Sequence, residues 1–265
     1  MTLNAYLDGI GVLGPGLNGW PDCAAILAGR RAYSCAPTML PVPSMLPAAE
    51  RRRTGRVVKV ALGVAFEATT AAAADPVQLS SVFSSSGADG YICHEICQAL
   101  ALPAREVSPT RFSNSVHNAP SGYWSIATGA MTESNVLCAF DASFVAGFLD
   151  AMTQVNVDQR AVLLVAYDAE YPPPLHAKRP IPDAFGIALV LSPRRTPKSL
   201  ARLELALTEE AFDTLREPQL EALRASIPAA RGLPLLEFLA LQKKGRTIIE
   251  YLGSTRAGVQ IEPCL

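Results

Sequence analysis

The chain is 265 residues long, with 49% hydrophobic and 18% charged residues; this balance supplies a sizeable core for one large domain or two small ones and excludes disorder. A formal net charge of −1 leaves no electrostatic basis for a nucleic acid or an anionic membrane surface as partner. No run of about 18 apolar residues is present to span a bilayer. The start, Met1-Thr2-Leu3-Asn4-Ala5-Tyr6-Leu7-Asp8, lacks the basic stretch of a secretory signal, so a cytoplasmic protein is expected. Cys23, Cys35, Cys93, Cys97, Cys138 and Cys264 fall mostly in apolar or helical patterns and read as buried free thiols. Cys93-His94-Glu95-Ile96-Cys97 puts two thiols on one helical face, but no second Cys/His pair of ligand spacing follows. Neither a metal nor another cofactor is expected.

Residues 4–12 read as a strand ending in the turn Gly14-Pro15-Gly16. A short helix over 19–28 is closed by Gly29. Pro37, Pro41, Pro43 and Pro47 make 34–49 a loop. Arg51-Arg52-Arg53-Thr54 lead into a long amphipathic helix over 51–74, with Val57, Val60, Ala61, Val64, Ala68 and Ala71 as its apolar stripe. A strand over 78–84 runs into Ser84-Ser85-Ser86-Gly87-Ala88-Asp89-Gly90, a small-residue turn suited to close backbone packing and unlike a phosphate loop or Gly-x-Ser-x-Gly. Helices are expected over 89–101, 108–115 and 121–129, a buried strand over 135–140 and a helix over 143–156. Residues 161–167 and 184–192 are two further buried strands, joined by a proline-rich loop. Near-continuous apolar strands alternating with helices point to an α/β fold whose sheet is covered on both faces. After Ser192 come a basic turn over 193–198, an alternating edge strand over 200–207, and helical stretches over 208–225 and 232–243.

Residues 129–151 resemble the strand–turn–helix segment that carries the catalytic cysteine of β-ketoacyl synthases. Laid over that pattern without a gap, the cysteine position falls on Asp141, and Cys138 lies three residues earlier inside the strand. Three further blocks resemble the N-terminal half of the family, in the right order. They are Gly9-Ile10-Gly11-Val12 with Gly14-Pro15, then Arg52-Arg53-Thr54-Gly55-Arg56 with Lys59-Val60-Ala61-Leu62, and residues 179–191. The resemblance covers residues 3–192. It implies a thiolase-like half fold, a mixed and mostly parallel sheet between helical layers. Residues 1–192 would form the synthase-like half and 193–265 an extension packed on the same domain. The departures bear on chemistry. The His-Gly-Thr-Gly-Thr-like and Asn-x-Phe-Gly-x-Gly-Gly-like loops of the second half are missing, and the only histidines are His94, His117 and His176. A thiolate attacks a thioester and stores the acyl chain, whereas a carboxylate would give a reactive mixed anhydride. Without the cysteine and the histidine pair, decarboxylative condensation has no machinery.

Within the family the chain resembles chain-length-factor-like proteins, and residues 114–125, Asn-Ser-Val-His-Asn-Ala-Pro-Ser-Gly-Tyr-Trp-Ser, resemble those of aryl polyene biosynthesis. The resemblance implies a non-catalytic subunit, paired as a heterodimer with a catalytic β-ketoacyl synthase. It would complete that partner's interface, shape its acyl or polyene pocket, and meet acyl carrier protein through the complex. His117, Asn118, Tyr123 and Trp124 fall in the segment facing the partner, where the aromatic pair either walls a tunnel or is ordinary packing. Asp141 either keeps the turn by holding amides of the next helix or is a plain helix cap. Arg51, Arg52 and Arg53 are either a contact for an acidic carrier protein or a solvated helix start. The missing half should leave an apolar face for another subunit to cover. Two other functions stay open: a decarboxylase or thioesterase acting on acyl-carrier thioesters through Asp141, Cys138 or a serine with His117 as base, and a purely structural scaffold.

Overall fold

The structure is a computed structural model that describes residues 2–264. Strand β1 (Leu3–Gly14) is buried along most of its length, and β2 (Leu17–Asn18) folds back on its end. Helix α1 (Trp20–Leu27) stops where Gly29 takes a φ of 70°, the left-handed closure expected there. The expected helix over 51–74 is broken in two. A single turn, α2 (Ala48–Arg51), is followed by non-helical residues, and α3 (Arg56–Ala72) starts after an extended Gly55. The Thr54 hydroxyl donates to the Arg51 carbonyl at 2.8 Å, a local bond that competes with continued helix. Of the expected stripe, Val57, Val60, Ala61, Val64 and Ala68 are buried, while Ala71 faces solvent and Ala72 takes its place.

Strand β3 (Ser80–Ser84) passes through α4 (Gly90–Ala101), α5 (Pro109–Asn114) and α6 (Ala119–Thr128) to β4 (Ser134–Leu137). The side chains of Asp89 and Ser108 cap α4 and α5. Helix α7 (Ser143–Asp158) crosses to β5 (Val162–Asp168), and β6 (Phe185–Ser192) returns beside it. Then follow β7 (Ala201–Thr208), α8 (Pro218–Ser226), α9 (Leu233–Leu241), β8 (Gly245–Glu250) and β9 (Arg256–Pro263).

Among the described residues one nine-stranded sheet holds the strands, in the order β4-β3-β5-β6-β1-β7-β9-β8 with β2 beside β1. Among the described residues parallel pairing is confined to β4-β3-β5, where helical crossovers join successive strands; the pairs from β5–β6 onward are antiparallel, and of these β5–β6 and β8–β9 are joined directly by loops. Helices α3 and α6 cover one face, and α1, α7, α8 and α9 cover the other. Strand β7 lies between β1 and β9 instead of at the edge, since the β8–β9 hairpin extends the sheet beyond it. Residues 209–217 are not helical; the helix expected over 208–225 is reduced to α8, which Glu217 caps and Pro218 opens. The strand expected to be buried over 135–140 is β4, a half-exposed edge strand that ends before Cys138. All the cysteines are free, but only Cys23 is fully buried. Cys35 sits in a loop, Cys97 on the outer face of α4 and Cys138 past the edge strand, all exposed. Among the described residues no helix is long and apolar enough to cross a membrane.

Helix α3 and strand β1 meet at backbone distance. A Cβ on Gly9 would run into the Ala68 carbonyl oxygen, and one on Gly11 into that of Val64. Gly11→Ala is expected to lower the unfolding free energy by about 3 kcal/mol, the upper end of ordinary overpacking costs, as read by urea denaturation. Gly122→Ala, in mid-α6 with no neighbour within 4 Å, is expected to raise it by up to about 1 kcal/mol through helix propensity.

Candidate functional site

Residues 138–142 join β4 to α7 through a tight 3₁₀ turn, Phe140–Ala142. Phe140 has a φ of 52°, a left-handed conformation that costs a non-glycine residue about 1–2 kcal/mol. Ser143 holds the turn. Its Oγ accepts from the Ala139 amide at 3.0 Å and donates to the Phe140 carbonyl at 2.7 Å. Asp141 neither caps α7 nor binds its amides; the helix starts without a side-chain cap. The reason is electrostatic. Its carboxylate lies 2.5 Å from Arg179 Nη2 and 3.7 Å from Arg231 Nη2, and the Arg179 guanidinium stacks 3.8 Å from the centre of the Phe140 ring. The charges continue through Arg231–Glu250 at 3.6 Å, Arg224–Glu250 at 3.2 Å and Arg224–Glu221 at 2.7 Å. The left-handed residue of this elbow is thus Phe140, one position before Asp141. A phenyl ring has no nucleophile, and a carboxylate held between two guanidinium groups is a poor one.

Behind the elbow the ends of β3 and β5 converge on Asp168. This residue is buried; Oδ1 accepts from Ser86 N at 2.9 Å, Ser86 Oγ at 2.6 Å and Ser85 Oγ at 3.4 Å, and Oδ2 from Ala229 N at 2.8 Å. The Cys138 thiol donates to the Ser86 carbonyl at 3.3 Å. The serine turn therefore supplies hydroxyls to a carboxylate besides packing closely. Burial pushes the Asp168 carboxyl up to about 6, against the pull of its Ser86 and Ala229 donors. Sequence reading missed this residue. The available signal was a lone acid closing an apolar strand, in a chain with a serine triplet closing another.

The aromatic pair of α6 points inward. Trp124 is 1% exposed and packs on Phe66 of α3 with ring centres 4.9 Å apart. Tyr123 is buried, and its hydroxyl donates to Asn114 Oδ1 at 3.2 Å. Asn118 is exposed and His117 is half-buried. The outer face of α6 presents Gly122 and Ile126. Exposed Phe112, Val116 and Met131 also precede β4 in the chain, and exposed Phe140 follows it. Arg52 and Arg53 are exposed and Arg51 half-buried, with Arg53 paired to Glu50 at 2.9 Å. His117 lines a cavity that neither Asp141 nor Cys138 reaches, so these residues do not form one constellation. Among the described residues no group of three His, Cys, Asp or Glu side chains is placed to hold a metal ion.

A mixed sheet between helical layers, with a strand-to-helix elbow at the end of its parallel part, defines a thiolase-like fold. The chain belongs to the β-ketoacyl synthase family: the description “Beta-ketoacyl synthase, N-terminal domain” matches residues 29–248. No curated protein matches. Among solved structures, the ketosynthase (ApeO) in complex with its chain length factor (ApeC) from Xenorhabdus doucetiae is similar at a TM-score of 0.74 and 21% identity, over 97% of this chain and 99% of that one. The AntDE:AntF assembly, a type II PKS acyl-carrier protein in complex with its ketosynthase bound to the hexaketide, is similar at 0.77 and 11% identity, over 100% of both chains. The ishigamide ketosynthase/chain length factor is similar at 0.74 and 11%, over 99% of this chain and 100% of that one. At such identities the likeness is one of fold.

Asp168 makes stability depend on pH. Its folded value of about 6 lies above its ordinary 3.8, so its contribution is complete below pH about 4 and is lost as pH rises through about 6. Urea midpoints between pH 4 and 7 are expected to reveal a loss of the order of 3 kcal/mol from this group, and a flatter profile in Asp168→Asn, which cannot ionise.

Proposed function

We propose that the chain is a non-catalytic, chain-length-factor-like subunit that pairs with a catalytic β-ketoacyl synthase and shapes its acyl pocket. The observation that carries this reading is an elbow kept in shape but emptied of its nucleophile. Ser143 and two arginines hold Phe140 and Asp141 where a condensing enzyme needs a thiolate. The sequence also lacks the histidine-bearing loops of the condensation step.

A partner is favoured by the open side of the molecule. Strand β4 is an unpaired sheet edge, and exposed Ile126, Met131 and Phe140 flank it in the chain. An open edge beside exposed apolar side chains suits strand pairing with a second subunit. The similar structures named for ketosynthases with their chain length factors support a ketosynthase as that subunit, and the one containing an acyl carrier protein supports carrier access through the complex. Arg51, Arg52 and Arg53 are the proposed carrier contact. Residues 193–265 are proposed as an extension of the same domain, and the cytoplasm as the place of work. Aryl polyenes are the proposed product class, on the strength of residues 114–125. His117, Asn118, Tyr123 and Trp124 would act in the partner-facing segment. Tyr123 and Trp124 would anchor α6 from within, and Gly122 and Ile126 would form the wall that the growing chain meets. Each poorly fitting unit would then be rejected at a cost of roughly 1–3 kcal/mol.

Co-expression with a ketosynthase from the same gene neighbourhood, followed by size-exclusion chromatography with light scattering, tests the pairing. A stable one-to-one complex is expected, weakened at least about tenfold by Ile126→Arg together with Met131→Arg; a well-behaved lone monomer that ignores the synthase would overturn the reading. In the reconstituted complex, Gly122→Phe is expected to shorten the product, as read by mass spectrometry, while a scaffold with no part in length control would leave it unchanged.

A further inference from the structure

Two buried polar atoms on the wall of one cavity have no protein partner. Tyr167, near the end of β5, is 1% exposed and its hydroxyl is unpaired; the Nε2 of His117 is likewise buried and unpaired. Both residues line a small cavity of about 10 Å³ together with Val58, Ala88 and Pro120. Leaving a buried donor or acceptor unsatisfied costs about 1–3 kcal/mol, so two such groups on one cavity mark a place for a hydrogen-bonding occupant. The small cavity shares Gly55, Val57, Asp89, Ile92 and Asn114 with a wider one of about 350 Å³, a volume typical of small-molecule sites.

The lining defines the chemistry. Arg53, Arg56 and Arg111 border the wider cavity, but each already faces a carboxylate: Glu50 at 2.9 Å, Glu170 at 2.6 Å with Asp183 beside it, and Glu95 at 2.9 Å. Asp89 is committed to the amides of Tyr91 and Ile92. The three arginines are thus matched, and Asp89, which pairs with no cation among the described residues, is pushed by burial toward its neutral form, so a neutral ligand is favoured. Burial, with Asp168 and Cys138 near, pushes the Tyr167 hydroxyl up, so it stays protonated and can donate. His117 Nε2 can donate or accept, according to tautomer. A secondary amide or an alcohol satisfies both groups, while Val57, Tyr91 and Ile92 offer apolar surface to an attached alkyl chain.

We infer that this pair of cavities is a binding site for a neutral, amide- or hydroxyl-bearing apolar molecule, with its polar oxygen seated between Tyr167 and His117. The site does not use the β4 edge, but it shares His117 with the partner-facing segment of the proposed function, so the chain is titrated without a partner. Calorimetric titration of the full chain with N-hexylacetamide tests it, with hexanoate and hexylamine as charged controls of the same length. The amide is expected to bind and the two ions are not. Tyr167→Phe is expected to weaken the amide about tenfold, the share of one hydrogen bond to a buried group, with a melting temperature unchanged or raised because an unpaired hydroxyl is gone. Failure of the amide to bind at millimolar concentration, which would leave the cavity to water alone, overturns the inference. So does equal binding by a folded Tyr167→Phe variant, or equal binding of the ions.

Discussion

Helix α3 rests on β1 at backbone distance because Gly9 and Gly11 carry no side chains, and much of the molecule is referenced to that seat. Glu67 of α3 accepts from the amides of Val12 at 2.9 Å and Trp20 at 2.5 Å, which sets how the chain leaves β1 for α1. Phe66 receives Trp124 and so fixes the rotation of α6, which decides that Gly122 and Ile126 face outward. At the start of the helix, Arg56 pairs with Glu170 and Asp183 and draws the loop after β5 over the cavity wall. A side chain at Gly11 would lift α3, and the cavity, the α6 face and the approach to β4 would move with it.

The elbow between β4 and α7 is a conformation imposed by its surroundings. Phe140 keeps a left-handed conformation that local preference disfavours, so the surroundings must impose it. They do so through Ser143, through the stacking of Arg179, and through Asp141 held between Arg179 and Arg231. The same charges run on to Glu250 and Arg224, while Asp168 accepts from the Ala229 amide. One tie thus fastens residues 221–250 to the elbow itself, and the other fastens Ala229 to the end of β5 behind it. One side of the elbow is closed by the chain's own later residues, while β4 beside it remains an open edge.

Much of the local structure was legible because it depends on neighbours in sequence. The strands over 161–167 and 184–192 follow from unbroken apolar runs, and the end of α1 follows from Gly29. The break between α2 and α3 was not legible, since it rests on the Thr54 hydroxyl choosing the Arg51 carbonyl over solvent. The interior position of β7 was hidden for a different reason. Its alternating pattern reads as an edge strand, and only the β8–β9 hairpin, paired through eight registered residues, moves it inward. The orientation of Trp124 was ambiguous for the same kind of reason: an aromatic residue on a helix suits a core or a partner equally well, and Phe66 decided it.

At the site the division is sharper. Sequence alone determined that no cysteine stands between Ala139 and Ser143, and that the chain's three histidines lie outside any catalytic loop of the family; these are matters of residue identity at given positions. It also determined the serine triplet, though not its purpose. Only the tertiary structure decided that Asp168 receives those serines, that Arg179 and Arg231 hold Asp141, and that Tyr167 and His117 share a cavity. Each of those meetings joins residues from separate elements, and their energies depend on distance and burial, which no local pattern encodes.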